Sequence, residues 1–167
     1  KMKNLKKYNG EMCGDIFLKS TNNLKGINCA SSLNSSAIDE FLIIFLVAAK
    51  SNGVSYFKNL SELNEKESPR LKLGSKILNM IGIKTKLTNS SIKIYGNPNL
   101  SLDDSKKFEI KDYLKDHRIM AMSTIAALTL GGQWKIHDSD SIETSFPSFL
   151  KILKNNFRAK LKWGESN

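Results

Sequence analysis

The stretch SPRLKLGSKILNMIGIKTKLTNSSIKIY, from Ser68 to Tyr95, changes its hydrophobic period halfway along. In the first half, Leu71, Leu73, Ile77, Leu78 and Ile81 form one apolar stripe at helical spacing. Ser68 is a good helix cap, Pro69 suits a first helical position where its missing N–H costs little, and Gly82 suits a helix end. The spacing predicts a helix from Pro69 to Met80 or Ile81. The second half alternates with period two, predicting strands over Ile83 to Leu87 and Ser91 to Tyr95, with Thr88-Asn89-Ser90 as a hairpin turn. A helix feeding an antiparallel hairpin points to an α/β or α+β class.

Upstream, Val54 to Phe57 reads as a strand and Ala37 to Lys50 as a helix. That helix carries Asp39 and Glu40 in its first turn, stops before Asn52-Gly53, and is apolar all round, as a buried helix is. Before it lie two extended candidates, Asp15 to Lys19 and Leu24 to Asn28, and a polar loop from Ser31 to Ser36. Asn97 to Lys107 reads as a loop and as the internal boundary, after which the pattern restarts. Phe108 to Ile110 reads as a strand, and Asp116 caps a helix from His117 to about Leu130, ended by Gly131-Gly132. Trp134 to Ile136 reads as a strand. Thr144 or Ser145 caps a last helix from Phe146 to about Lys154. The order suggests repeated βαβαββ units with helices packed on mixed sheets, one unit over about residues 1–97 and a partial second over about 98–167.

Composition narrows the function classes. The chain has 167 residues, 40% hydrophobic and 25% charged, which excludes a disordered or collagen-like chain. Its longest apolar run, Phe41 to Ala49, is far short of the roughly 20 residues a membrane span needs. The net charge is +10, yet only Arg70, Arg118 and Arg158 among the 26 basic residues are arginine, and the lysines are scattered. That pattern argues against a nucleic-acid-binding module, which clusters its basic residues, and for a lysine-rich surface that also favours small anions. Cys13 and Cys29 have no metal-ligand spacing, and the basic opening lacks an apolar signal segment, so a reducing, cytoplasmic setting is expected. The first residue is Lys1, which suits a piece of a longer chain.

Three clusters carry chemistry. Ile38-Asp39-Glu40 opens the buried helix; its plainest reading is a carboxylate favoured by the helix dipole. Asn64 to Arg70 precedes a capped helix start, and Lys115-Asp116-His117-Arg118 repeats the pattern. Free N–H groups at a helix start suit an anion. Arg70 and Arg118 both lie at the positive end of a predicted helix, an unfavourable position that calls for a nearby negative charge. His117 reads most simply as a packed neutral imidazole. No glycine-rich phosphate loop, nucleophile elbow or HExxH is present.

Five segments then become familiar. Lys66-Glu67-Ser68-Pro69-Arg70 resembles a KE(S/T)xR motif, and Asp116 to Met122 resembles DHRxAMA. Thr144 to Phe149 resembles TSFPxF, Ile38 to Phe41 resembles IDE(F/Y), and Gly10 to Asp15 resembles GEPxxD. In this order and spacing the chain resembles the EPSP synthases, the 3-phosphoshikimate 1-carboxyvinyltransferases of the shikimate pathway. The resemblance implies part of the C-terminal domain of a two-domain enolpyruvyl transferase, with the N-terminal domain missing.

It also implies transfer of the carboxyvinyl group of phosphoenolpyruvate to the 5-hydroxyl of 3-phosphoshikimate by addition and elimination, with no metal or organic cofactor, in a cytoplasmic enzyme that is a monomer when complete. By resemblance, Asp39 is the proton acceptor and a 3-phosphoshikimate contact, Lys66 also binds 3-phosphoshikimate, Glu67 is the proton donor, and Arg70 and Arg118 hold phosphoenolpyruvate; His117 is a further candidate. The related UDP-N-acetylglucosamine enolpyruvyl transferases carry a motif like DLR where this chain has Asp116-His117-Arg118. Three departures stand out: Pro69 in place of Asp or Asn, Thr144-Ser145 where many members have Lys, and Met120 in place of Ala.

Overall fold

A computed structural model of the chain describes residues 1–157 and 159–162; Arg158 lies outside them. It is a mixed α/β structure with antiparallel and parallel sheets. Strands β1 (Met2–Tyr8) and β2 (Glu11–Ile16) form an antiparallel hairpin in which every residue is exposed. Asn9 and Gly10 make its two-residue turn, with φ of 48° and 91°. That is the left-handed backbone an Asn-Gly hairpin turn adopts. The strand expected over Asp15 to Lys19 is therefore displaced: β2 ends at Ile16.

Leu24 to Asn28 is not a regular strand. It runs beside β3 (Gly53–Phe57) through two isolated parallel bridges, Lys25 with Asn52 and Asn28 with Tyr56. The antiparallel sheet beyond has the order β3, β5 (Ile92–Gly96), β4 (Thr85–Leu87), and β4–β5 is the hairpin read from the sequence.

The expected helix from Ala37 to Lys50 is interrupted. A single turn, α1 (Asn34–Ala37), is followed by Ile38 to Glu40 outside any helix and then by α2 (Phe41–Ala49). Helix α2 lies against β5, α3 (Arg70–Met80) and α4 (His117–Leu130), and its all-round apolarity is used on those several sides. Phe41, Phe45 and Phe57 meet with ring centroids 5.2–5.9 Å apart at the centre of the core.

Strand β6 (Leu102–Ile110) starts well before the predicted Phe108, inside the expected loop, and pairs in parallel with β7 (Gly131–Ile136) across α4. Its Asp103 to Lys107 segment is exposed, so it lacks the apolar alternation that marks a half-buried strand. Gly131 and Gly132, expected only to end a helix, also open β7. The last helix, α5 (Phe149–Phe157), begins three residues after the predicted Phe146, so neither Thr144 nor Ser145 caps it. Among the described residues no helix is long and apolar enough to cross a membrane.

Tyr113 fastens the loop before α4 to the end of β7. Its hydroxyl donates to the carbonyls of His137 and, at 3.1 Å, Asp138. Burial, aided by nearby Asp138, Asp140 and Asp116, pushes its pKa up to about 12. The neutral phenol is thus favoured in the folded state. Its contribution is full below the unfolded value near pH ~10 and is lost as pH rises through the folded value, a change of up to about 2–3 kcal/mol. The expected result is a urea midpoint that falls between pH 9.5 and 11.5 more steeply for the wild type than for Tyr113→Phe, which shares every other alkaline effect. Parallel curves would contradict this role.

Candidate active site

Three segments far apart in sequence meet at one buried guanidinium. Arg70 opens α3 with its side chain 2% exposed. Its Nε donates to Asp116 Oδ2 at 2.9 Å and its Nη1 to Asp39 Oδ1 at 2.9 Å. Its Nη2 donates to Glu67 and, at 3.3 Å, to Asp116 Oδ1. Burial opposes the charge of Arg70, but the bond to Asp116 and the fields of Asp116, Glu67 and Asp39 outweigh it and raise its pKa. Asp39 and Glu67 remain about half exposed.

Pro69 explains how Arg70 is delivered. With φ −71° and ψ 72° it makes an inverse γ-turn, in which the Arg70 N–H donates to the Ser68 carbonyl at 2.7 Å. The ring fixes φ near the value this turn needs. Ser68 does not cap α3 as expected. Its buried hydroxyl instead donates to Asp116 Oδ2 at 2.7 Å.

Asp116 caps α4 as predicted, Oδ1 accepting from the Arg118 N–H at 2.9 Å. It also accepts from Ser68 and twice from Arg70, four bonds in all, which fills a carboxylate. Burial alone would raise its pKa; the Arg70 and Ser68 bonds, the Arg118 N–H and the Arg70 charge together hold it below the usual carboxylate range. Arg118 reaches back to the interrupted helix. Its Nη1 donates to the Asp39 carbonyl at 3.0 Å and to Glu40 Oε1 at 2.9 Å.

The negative charge that both arginines require at helix starts is therefore supplied by the chain itself. Asp39, Glu67, Arg70 and Arg118 come together. Lys66 pairs with Glu62, four residues earlier, at 3.0 Å rather than with this cluster. His117 is half-buried in the first turn of α4. Thr144 and Ser145 are exposed in a turn before α5. Three members of the network, Ser68, Asp116 and Glu40, read in sequence only as caps or first-turn residues. The signal that points to them is the pair of arginines placed against a helix dipole. Among the described residues no group of three or more His, Cys, Asp or Glu is placed to hold a metal ion.

The Asp39, Glu67–Arg70 and Asp116–Arg118 segments thus form a single cluster. A family model described as EPSP synthase (3-phosphoshikimate 1-carboxyvinyltransferase) matches residues 14–153, and the chain belongs to this family. It is 35% identical over 151 residues to the 3-phosphoshikimate 1-carboxyvinyltransferase of Thermodesulfovibrio yellowstonii, covering 90% of this chain and 34% of that protein. Against the same-named protein of Bacillus cytotoxicus it is 36% identical over 143 residues, covering 86% and 32%. A solved EPSP synthase from Acinetobacter baumannii superposes with a TM-score of 0.82 at 30% identity, over 92% of this chain and 35% of that one. The chain thus spans about a third of the length of the relatives it matches.

Proposed function

We propose that this chain is the later part of the C-terminal domain of a two-domain EPSP synthase, one unit over about residues 1–97 and part of another over about 98–167. The complete enzyme moves the carboxyvinyl group of phosphoenolpyruvate onto the 5-hydroxyl of 3-phosphoshikimate and releases phosphate. Glu67 gives a proton to the methylene carbon while the hydroxyl oxygen attacks the neighbouring carbon, and Asp39 accepts the hydroxyl proton. The tetrahedral adduct then loses phosphate and one methyl proton, which restores the vinyl group. Lys66 contributes to holding 3-phosphoshikimate. Arg70 and Arg118 hold the phosphate and carboxylate of phosphoenolpyruvate, groups whose planar oxygen pairs fit a guanidinium fork. The partners are these two small anions and the remaining domain, in a cytoplasmic setting and without a cofactor.

One observation carries this reading. A single guanidinium, Arg70, bridges the candidate base Asp39 and the candidate acid Glu67, which belong to separate motifs. Acid and base are thereby held on one side each of the group that would grip the donor. Their oxygens sit on Arg70 as substrate oxygens would, so binding of the donor replaces one of them.

Two outcomes test it. The purified 167-residue chain is expected to release no phosphate from the two substrates, because the rest of the site is absent; turnover near that of an intact relative would refute this. In a chimera joining the chain to the preceding two-thirds of the Acinetobacter baumannii enzyme, Glu67→Gln is expected to lower kcat by ~10² to 10⁴-fold. An unchanged kcat would remove Glu67 from the chemistry.

A further inference from the structure

The break between α1 and α2 frees one carbonyl. In a continuous helix the Asp39 C=O would accept from the Ile43 N–H, but the N–H groups of Ile43 and Ile44 both donate to the Glu40 carbonyl at 3.0 Å. The Asp39 carbonyl accepts from Arg118 Nη1 instead, across 79 residues of sequence. The adjoining Glu40 carboxylate takes the same nitrogen. Both hydrogens of Nη1 are then used. The opposite edge of the guanidinium, Nε and Nη2, has no acceptor among the described residues, and the side chain is one-third exposed. That edge is the fork that receives two oxygens of a carboxylate or phosphate side by side. Arg70, by contrast, has its Nε, Nη1 and Nη2 all engaged.

We propose that Glu40 is a positioning residue: together with the Asp39 carbonyl it clamps Nη1 of Arg118, so that the Nε–Nη2 edge is presented to an anionic ligand. That this ligand is phosphoenolpyruvate rests on the function proposed above. The clamp itself does not. Glu40 is an exposed partner, and exposed ion pairs add little to folding. Its removal is therefore expected to show in ligand binding and in the motion of Arg118 rather than in the fold.

The experiment uses the 167-residue chain, Glu40→Ala and Glu40→Gln. Nitrogen-15 NMR of the Arg118 guanidinium without ligand is expected to show slow rotation of Nη1 in the wild type, fast rotation in Glu40→Ala and partial restriction in Glu40→Gln. Titration with phosphoenolpyruvate, and with inorganic phosphate as the simpler probe, is expected to weaken about five- to tenfold in Glu40→Ala and to recover in part in Glu40→Gln, with melting temperatures within about 3 °C. Tighter anion binding by Glu40→Ala would make Glu40 a competitor for Arg118 and overturn the proposal. Equal Nη1 rotation in all three proteins would overturn it too. Wild-type chain that binds neither probe, yet shows the expected rotation pattern, would count against the phosphoenolpyruvate reading and leave the clamp standing.

Discussion

Asp116→Ala is expected to destabilise the chain by about 3–5 kcal/mol, the range for removing one partner of a buried ion pair. Four hydrogen bonds are lost at once, from Ser68 Oγ, from Nε and Nη2 of Arg70, and from the Arg118 N–H in the first turn of α4. Arg70 stays buried with Asp39 and Glu67, both of which can turn to solvent. Against a total of about 5–15 kcal/mol for an ordinary domain, the loss is large. Urea denaturation checks it, and a shift under about 1 kcal/mol would show that the network is dispensable for folding. The double variant Asp116→Ala with Arg70→Met should recover part of the loss, because the stranded charge goes with its partner.

The pH dependence of this effect has a definite sign. Asp116 titrates lower in the folded state than unfolded, so its contribution is present above about pH 4 and disappears as pH falls through the depressed value. The gap between wild type and Asp116→Asn should accordingly narrow in acid.

Gly96→Ala should be nearly as damaging, for a purely steric reason. A Cβ on Gly96 would lie 2.3 Å from the Ser51 carbonyl oxygen and 2.5 Å from that of Ala48. Both belong to the end of α2 and the residues just after it, and neither can rotate away as a side chain would. The next amide, Asn97 N–H, is tied to the Ala49 carbonyl at 2.8 Å, which fixes the same junction from the other side. Relief requires prising the end of α2, where Ala48, Ala49 and Ser51 are buried, off β5. Forced overpacking of this kind costs typically about 1–3 kcal/mol, and rigid backbone on both sides puts Gly96 at the upper end. A drop in urea midpoint with unchanged slope is the expected readout; a midpoint equal to wild type would mean the junction yields freely.

Much of the fold is legible where local pattern and final burial agree. Helix α3 and the β4–β5 hairpin follow from the change of period between Ser68 and Tyr95, and the N-terminus of α4 follows from Asp116. The misses have separate causes. The β1–β2 hairpin carries its signal in Asn9-Gly10, but both faces of its strands are exposed, so no alternation draws attention to it. β6 is polar for the same reason. The interruption at Ile38 to Glu40 is not written in local sequence at all, since Ala37 to Lys50 reads as one helix. It accompanies the hold of Arg70 on the Asp39 carboxylate and of Arg118 on its carbonyl, contacts 31 and 79 residues away. The candidate site was legible as separate residue types in anion-binding positions. That acidic side chains of the chain itself take up those arginines becomes visible only once the three segments are folded together.

The carboxylates around Arg70 and Arg118 also set the local charge. Asp39, Glu40, Glu67 and Asp116 outnumber the two guanidinium groups, so this spot carries two surplus negative charges inside a chain of net +10. Within a screening length of about 8 Å of the surface, the lysine excess draws small anions inward. Over the last few ångströms they meet like charge, and under the proposed function an anion that grips Arg70 displaces one of its tethered carboxylates. In the folded chain the buried Arg70 guanidinium thus has its counter-ions built in, and no ion from the medium is needed to balance it.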